Sequence, residues 1–192
     1  MSDHENEPID TQEEAPKDPA QEDYDEGQKF LKDQNLPQAA NAFHNALIGY
    51  QQSKNEPGIA NASDKLGDIC IEREDFEKAI PHYQRAYEIC DRLDDISSIV
   101  SLEKKMASCH LGLGQFQETL TIYLKLFDTF TDWKNPGQTV AILEQIAELY
   151  IEMNEKEKAV DAFKTAASIH AGYGHPRHAQ KLLDKAEEVL KG

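Results

Sequence analysis

Residues 66–86 read LGDICIEREDFEKAIPHYQRA, and five positions in this stretch set the pattern of the whole chain. Gly67 is small. Cys70 stands three residues on, Ala79 nine after that, and Tyr83 and Ala86 follow at intervals of four and three. Intervals of three and four place side chains on one face of an α-helix, so Gly67 and Cys70 share one helix and Ala79, Tyr83 and Ala86 another. The nine-residue gap holds Glu74-Asp75, polar residues suited to a turn. The stretch reads as a helix hairpin, with small residues that let the helices approach and an aromatic that fills the space beside them.

Steps of forty residues in either direction find the same pattern. Gly27, Ala107 and Ala147 take the place of Gly67, while Phe30, His110 and Tyr150 take that of Cys70. Ala39, Thr119 and Ala159 match Ala79; Phe43, Tyr123 and Phe163 match Tyr83; Ala46, Leu126 and Ala166 match Ala86. Turn-like residues fall in each gap: Asp33-Gln34-Asn35, Gly112-Leu113-Gly114 and Asn154-Glu155. Registered copies at a fixed period are the mark of a repeat architecture. Pro57, Pro136 and Pro176 punctuate helix starts, where a missing N–H costs nothing. The expected helices are 19–33, 36–53, 57–73, 76–92, 96–113, 116–131, 136–153, 156–171 and 176–190. The last, with Ala179, Leu182, Leu183, Ala186, Val189 and Leu190 on one face, caps the open end of the stack. The expected fold is all-α: four helix hairpins (repeats about 19–55, 56–95, 96–135 and 136–175) and a C-terminal capping helix at 176–190. His110, in a packing slot, is expected to be buried, and Trp133 to pack between repeats three and four.

Gly27…Phe30…Ala39…Phe43…Ala46 and Leu66-Gly67…Ala79…Tyr83…Ala86 resemble the core signature of the tetratricopeptide repeat. The resemblance extends over roughly residues 20–192 and implies a right-handed α-α superhelix, a solenoid whose first helices line a concave groove. The period departs from the family's usual thirty-four residues, and the extra six lengthen the helices by up to about 4–5 Å each. It is similar in this to the long-helix subclass found in kinesin light chain, mitotic-spindle adaptors and bacterial peptide-sensing regulators.

Acidic residues outnumber basic ones 36 to 20, for a formal net charge of −16. Nucleic acid needs a concentrated basic surface and anionic membranes attract one, so neither is an expected partner. No apolar run approaches the roughly 20 residues that span a bilayer. The acidic N-terminus is the opposite of a secretory signal, and a cytoplasmic protein is expected. Residues 1–26 hold eleven acidic side chains and one basic. Residues 1–18 are expected to form an acidic disordered tail, since they have too little apolar surface to offset the cost of ordering; the array occupies 19–192.

Chemistry-bearing motifs are sparse. Cys70, Cys90 and Cys109 have neither disulfide nor zinc spacing. Cys109 and His110 are neighbours in sequence and point about 100° apart on a helix. His170, His175 and His178 cluster around a glycine-bearing turn without a cysteine. Gly112-Leu113-Gly114 lacks the Gly-Lys-Ser/Thr of a phosphate loop. No catalytic residue, metal or cofactor is expected, and the chain reads as a non-enzyme.

The resemblance implies groove-facing positions on each first helix: Gln21, Tyr24, Gln28 and Leu31; Asn61, Asp64, Asp68 and Ile71; Ser101, Lys104, Ser108 and Leu111; Ala141, Glu144, Glu148 and Ile151. Leu31, Ile71, Leu111 and Ile151 form an apolar ladder, which either packs on the second helices or faces a partner. The expected binding residues are Tyr24, Gln28, Asn61, Asp64, Asp68, Lys104, Ser108, Glu144 and Glu148. Their carboxylates favour a basic or mixed-charge segment of another protein. Co-chaperones of this family that grip a C-terminal carboxylate use lysine, asparagine and arginine at slots that here hold Tyr24, Gln28, Lys65, Ser101 and Lys105, so that specificity is not matched. The leading function is an adaptor that binds a partner segment in the groove. A small cytoplasmic chaperone for one client and a peptide- or ligand-sensing regulator are the alternatives.

Overall fold

The computed structural model describes residues 18–191; the expected tail, apart from Asp18, lies outside them. The described residues form nine α-helices: α1 (Pro19–Lys32), α2 (Leu36–Ser53), α3 (Glu56–Glu72), α4 (Phe76–Arg92), α5 (Ile96–Gly112), α6 (Phe116–Asp132), α7 (Pro136–Glu152), α8 (Lys156–Gly172) and α9 (Pro176–Lys191). Each end lies within one residue of the sequence expectation. Every helix packs against the next in chain order, which builds an α-solenoid of four hairpins and a final single helix.

The turns obey a shorter rule, of twenty residues. Gln34, Lys54, Glu74, Asp94, Gly114, Lys134, Asn154 and Gly174 all adopt a left-handed backbone, with φ between 51° and 77°. The residue after each one donates its N–H five residues back: Asn35 to Phe30, Asp75 to Cys70, Asp95 to Cys90, Asn135 to Phe130 and His175 to His170, all at 2.8–3.0 Å. This is the Schellman closure, which satisfies carbonyls left over at a helix end. The same residue begins the next helix. Asn55, Asp95 and Asn135 accept from the backbone N–H three residues on, at 3.0–3.2 Å. Only two of the eight left-handed positions are glycine, so backbone bonding enforces a conformation that six side chains disfavour.

The repeat slots explain the packing. A Cβ on Gly27 would fall 2.8 Å from the Phe43 ring, and one on Gly67 2.5 Å from that of Tyr83. The small residue is therefore required where a first helix crosses the aromatic of its own second helix. Ala39, Ala79, Thr119 and Ala159 are wholly buried, and Phe43, Tyr83, Tyr123 and Phe163 are buried beside them. At the equivalent small slot α9 carries the exposed Glu187.

Two expectations are corrected. The Phe30, Cys70, His110 and Tyr150 slot is only half-buried, because it lies in the last turn of each first helix, where packing thins toward the turn. His110 accordingly contacts Gln115, with Nδ1 to Oε1 at 2.6 Å. Trp133 is 49% exposed and lies edge-on to Phe130 of its own repeat at 6.0 Å, because it stands one residue past the end of α6.

Candidate interaction groove

The first helices α1, α3 and α5 share one face, and along it runs an open cavity of about 890 Å³. Leu31, Asp68, Ile71, Tyr83, Lys105 and Ser108 are among its lining residues. Next to it, a second cavity of about 350 Å³ lies where α5 meets α7, with Lys104, Ser108, Leu111, Tyr123 and Gln145 in its wall. Gln21, Asn61, Ser101 and Ala141 are exposed on this face. Leu31 and Ile71 are half-buried, whereas Leu111 and Ile151 are 41% and 39% exposed. The ladder thus packs down at the N-terminal half and opens toward the C-terminal half.

The carboxylates expected to meet a partner are already engaged. Lys105 Nζ lies 2.6 Å from Asp64 Oδ1 and 2.7 Å from Asp68 Oδ1, and 5.4 Å above the centre of the Tyr83 ring. Tyr83 donates its hydroxyl to Asp68 at 2.9 Å, and Lys65 sits 3.3 Å from Asp68. Two carboxylates and two ammonium groups cancel locally. Burial works against the charge on Lys105, but its bonds to Asp64 and Asp68 outweigh that and hold its pKa above the ordinary lysine value. Burial raises the Tyr83 hydroxyl, and Asp68 raises it further.

The arrangement recurs eighty residues later. Lys185 of α9 reaches Glu144 at 3.1 Å and Glu148 at 3.6 Å, and lies 5.4 Å above the Phe163 ring. In both clasps the lysine pairs with carboxylates 41 and 37 residues earlier, across a repeat junction. One ammonium faces two carboxylates here, those of Glu144 and Glu148, so this clasp keeps a net charge of −1, and Glu148 is 61% exposed. Asp64 and Asp68 are not brought together with them; the two pairs belong to different junctions. Lys65 and Lys105, the two cations at carboxylate-gripping slots, are both committed to Asp68 or Asp64.

Between the clasps, at the α5–α7 junction, the same slots hold Lys104, Ser108 and Gln145, and no clasp forms. Lys104 instead donates to Gln138 at 2.8 Å and lies 5.0 Å over the Phe130 ring. Tyr24 is occupied within repeat one, edge-on to Phe43 at 5.3 Å, and Gln28 is exposed. Residue-type reasoning missed Lys185 and Gln145 as determinants of this face and named Lys105 only at a carboxylate-gripping slot. The signal was present as a lysine set 41 and 37 residues after two carboxylates.

The rings of His170, His175 and His178 gather with centroids 5.2–6.0 Å apart. Among the described residues, however, no group of three or more histidine, cysteine or carboxylate side chains is arranged to hold a metal ion. No helix among them is long and apolar enough to cross a membrane.

Comparison with known proteins agrees with this geometry. Tetratricopeptide repeat profiles match residues 30–92 and 140–171. No curated protein matches significantly. Among solved structures, the nearly identical TPR-like repeats of a putative kinesin light chain from Podosopora anserina superpose with a TM-score of 0.63 at 12% identity, covering 90% of this chain and 96% of that one. The apo form of RapI gives a TM-score of 0.73 at 15% identity, over 90% of this chain and 64% of its own. Aspartyl phosphate phosphatase F from Bacillus subtilis gives 0.63 at 18%, over 87% and 47%. Such identities speak to fold alone. Together with the forty-residue hairpins and their small-against-aromatic slots, the profile matches place the chain in the tetratricopeptide-repeat family.

Proposed function

We propose that the chain is a non-enzymatic interaction scaffold that holds a segment of another protein along the face of its first helices. The observation that carries this reading is the open face from α1 to α7, continuous over two adjoining cavities, with its strongest charges already paired. A preformed surface of this kind adds little ordering cost on binding. Exposed Leu111 and Ile151 supply apolar anchors, and Ser108 and Gln145 between the clasps supply hydrogen-bonding groups. The partner that fits best is a mixed-charge segment with an aliphatic residue facing the α5–α7 junction, since Asp64 and Asp68 are matched by Lys65 and Lys105 while Glu144 and Glu148 share only Lys185.

The test is selection of a displayed peptide library on the intact chain, followed by titration of the enriched peptides against the Ser108→Arg/Leu111→Glu variant. Both positions are exposed, so the variant should melt like the parent. Binding should weaken by about tenfold or more, equivalent to about 1.4 kcal/mol. Equal binding by parent and variant, or a library with no enriched sequence, would refute the reading.

A further inference from the structure

The opposite ends of the hairpins carry a second surface. Leu93, Trp133 and Tyr173 are the residues that close α4, α6 and α8, forty residues apart, and are 47%, 49% and 60% exposed. Ile96, which opens α5 beside Leu93, is 47% exposed. Four of the ten exposed large apolar side chains among the described residues thus lie on one edge of the stack, the edge where second helices hand over to first helices. The fold does not ask for them. Each turn is held by backbone bonds, such as Asp95 to Cys90 and Asn135 to Phe130, and repeat one manages the same slot with Ser53. Water-exposed apolar groups that recur with the repeat and do nothing for the turn point to an interaction surface.

Charge says what fits. The rim at the Leu93 and Trp133 steps is acidic: Asp91, Asp94 and Asp95 surround the first and Asp132 adjoins the second, all exposed. Hydrogen bonds from Ser98 hold the Asp95 carboxyl below its ordinary pKa and keep it charged. Of the nearby cations, Arg92 is occupied by Glu56 at 2.7 Å, leaving Lys134 against four carboxylates.

We propose that this edge docks a basic amphipathic segment of a partner protein, its apolar side chains seated on Leu93, Trp133 and Tyr173 and its lysines or arginines against Asp91, Asp94, Asp95 and Asp132. The site is separate from the groove and stands whether or not the groove binds a segment. It would let one chain bridge two partners.

The probe is a synthetic helical peptide with leucine at every seventh position and lysines flanking that stripe; the control is a scrambled peptide of the same composition. Trp133 is the only tryptophan, so its emission reports the site directly. The intact chain should bind the probe with a blue shift of Trp133 emission, and the scrambled peptide should bind about tenfold more weakly. By anisotropy of labelled probe, Leu93→Ser/Trp133→Ser/Tyr173→Ser should lose binding by a similar factor, Leu93→Ser alone by less, and the Ser108→Arg/Leu111→Glu groove variant not at all. Equal binding of probe and scramble, an unmoved Trp133 emission, or full binding by the triple variant would overturn the proposal. So would sedimentation showing that the intact chain dimerises through this edge, because a second copy would then be the occupant.

Discussion

Lys105→Met and Lys185→Met delete equivalently placed clasps at two repeat junctions, and their costs should differ. Methionine keeps the aliphatic stem over the aromatic ring and removes only the charge. At the α3–α5 junction Lys105 is 28% exposed and its partners Asp64 and Asp68 24% and 30%, with contacts of 2.6 and 2.7 Å. Removing the lysine leaves two half-buried carboxylates four residues apart with only Lys65 beside them. Charged hydrogen bonds of this kind contribute about 1.5–3 kcal/mol, between the range for exposed pairs and that for fully buried ones. At the cap Lys185 is 44% exposed, Glu148 61%, and the contacts lengthen to 3.1 and 3.6 Å. Exposed pairs are worth about 0–1 kcal/mol. For a chain of this size 1 kcal/mol moves Tm by about 2–4 °C, so Lys105→Met should lower it by about 3–12 °C and Lys185→Met by less than about 4 °C. Thermal unfolding followed by circular dichroism reads both. Adding Asp64→Asn/Asp68→Asn to Lys105→Met should recover part of the loss. Equal costs at the two junctions, or no recovery, would refute the idea that burial of the clasp sets its strength.

Lys134→Gly, at a left-handed turn position, should raise stability by roughly 0.5–1 kcal/mol in urea unfolding, because glycine adopts φ of 51° without strain. Burial, then the Arg85 guanidinium and His44, hold His82 below the ordinary histidine value. The unfolded chain therefore takes up that proton first, and His82 contributes full stability above the unfolded pKa of about 6.5 and less as pH falls through it. His82→Gln should shrink the drop in Tm between about pH 7 and 5, and an unchanged drop would contradict the assignment. Burial pushes the Cys109 thiol up to about 11, and its side chain is wholly enclosed. Alkylation at about pH 8 followed by peptide mapping should find Cys70 modified first and Cys109 last, with the difference abolished in urea.

Fold was legible because it rests on side-chain size at fixed intervals. Gly67 against Tyr83 and Gly27 against Phe43 are requirements of helix approach, and such requirements print themselves in the sequence. The twenty-residue rule of the turns is not visible there. Backbone hydrogen bonds impose it, and Gln34, Lys54, Glu74, Asp94, Lys134 and Asn154 tolerate it without being selected for a left-handed φ. His110 and Trp133 were misjudged for a related reason. Periodicity places a residue on a face but does not tell how far along the helix the packing still closes over it. At the groove, reading one helix at a time showed Asp64, Asp68, Glu144 and Glu148 on first helices but not the lysines that engage them. Their lysines come from the next repeat, about forty residues away, and only the stacking of repeats brings them together.

The most direct test is to map the binding face residue by residue. Backbone amide shifts should be recorded by NMR on the isotopically labelled chain while the best library-selected peptide is titrated in. The account predicts that the largest changes fall on α3, α5 and α7, centred on Ser108, Leu111 and Gln145, with α4, α6 and α8 little affected. Changes confined to the second helices or to the Leu93, Trp133 and Tyr173 edge would contradict a groove-binding scaffold and leave the turn edge as the interaction surface.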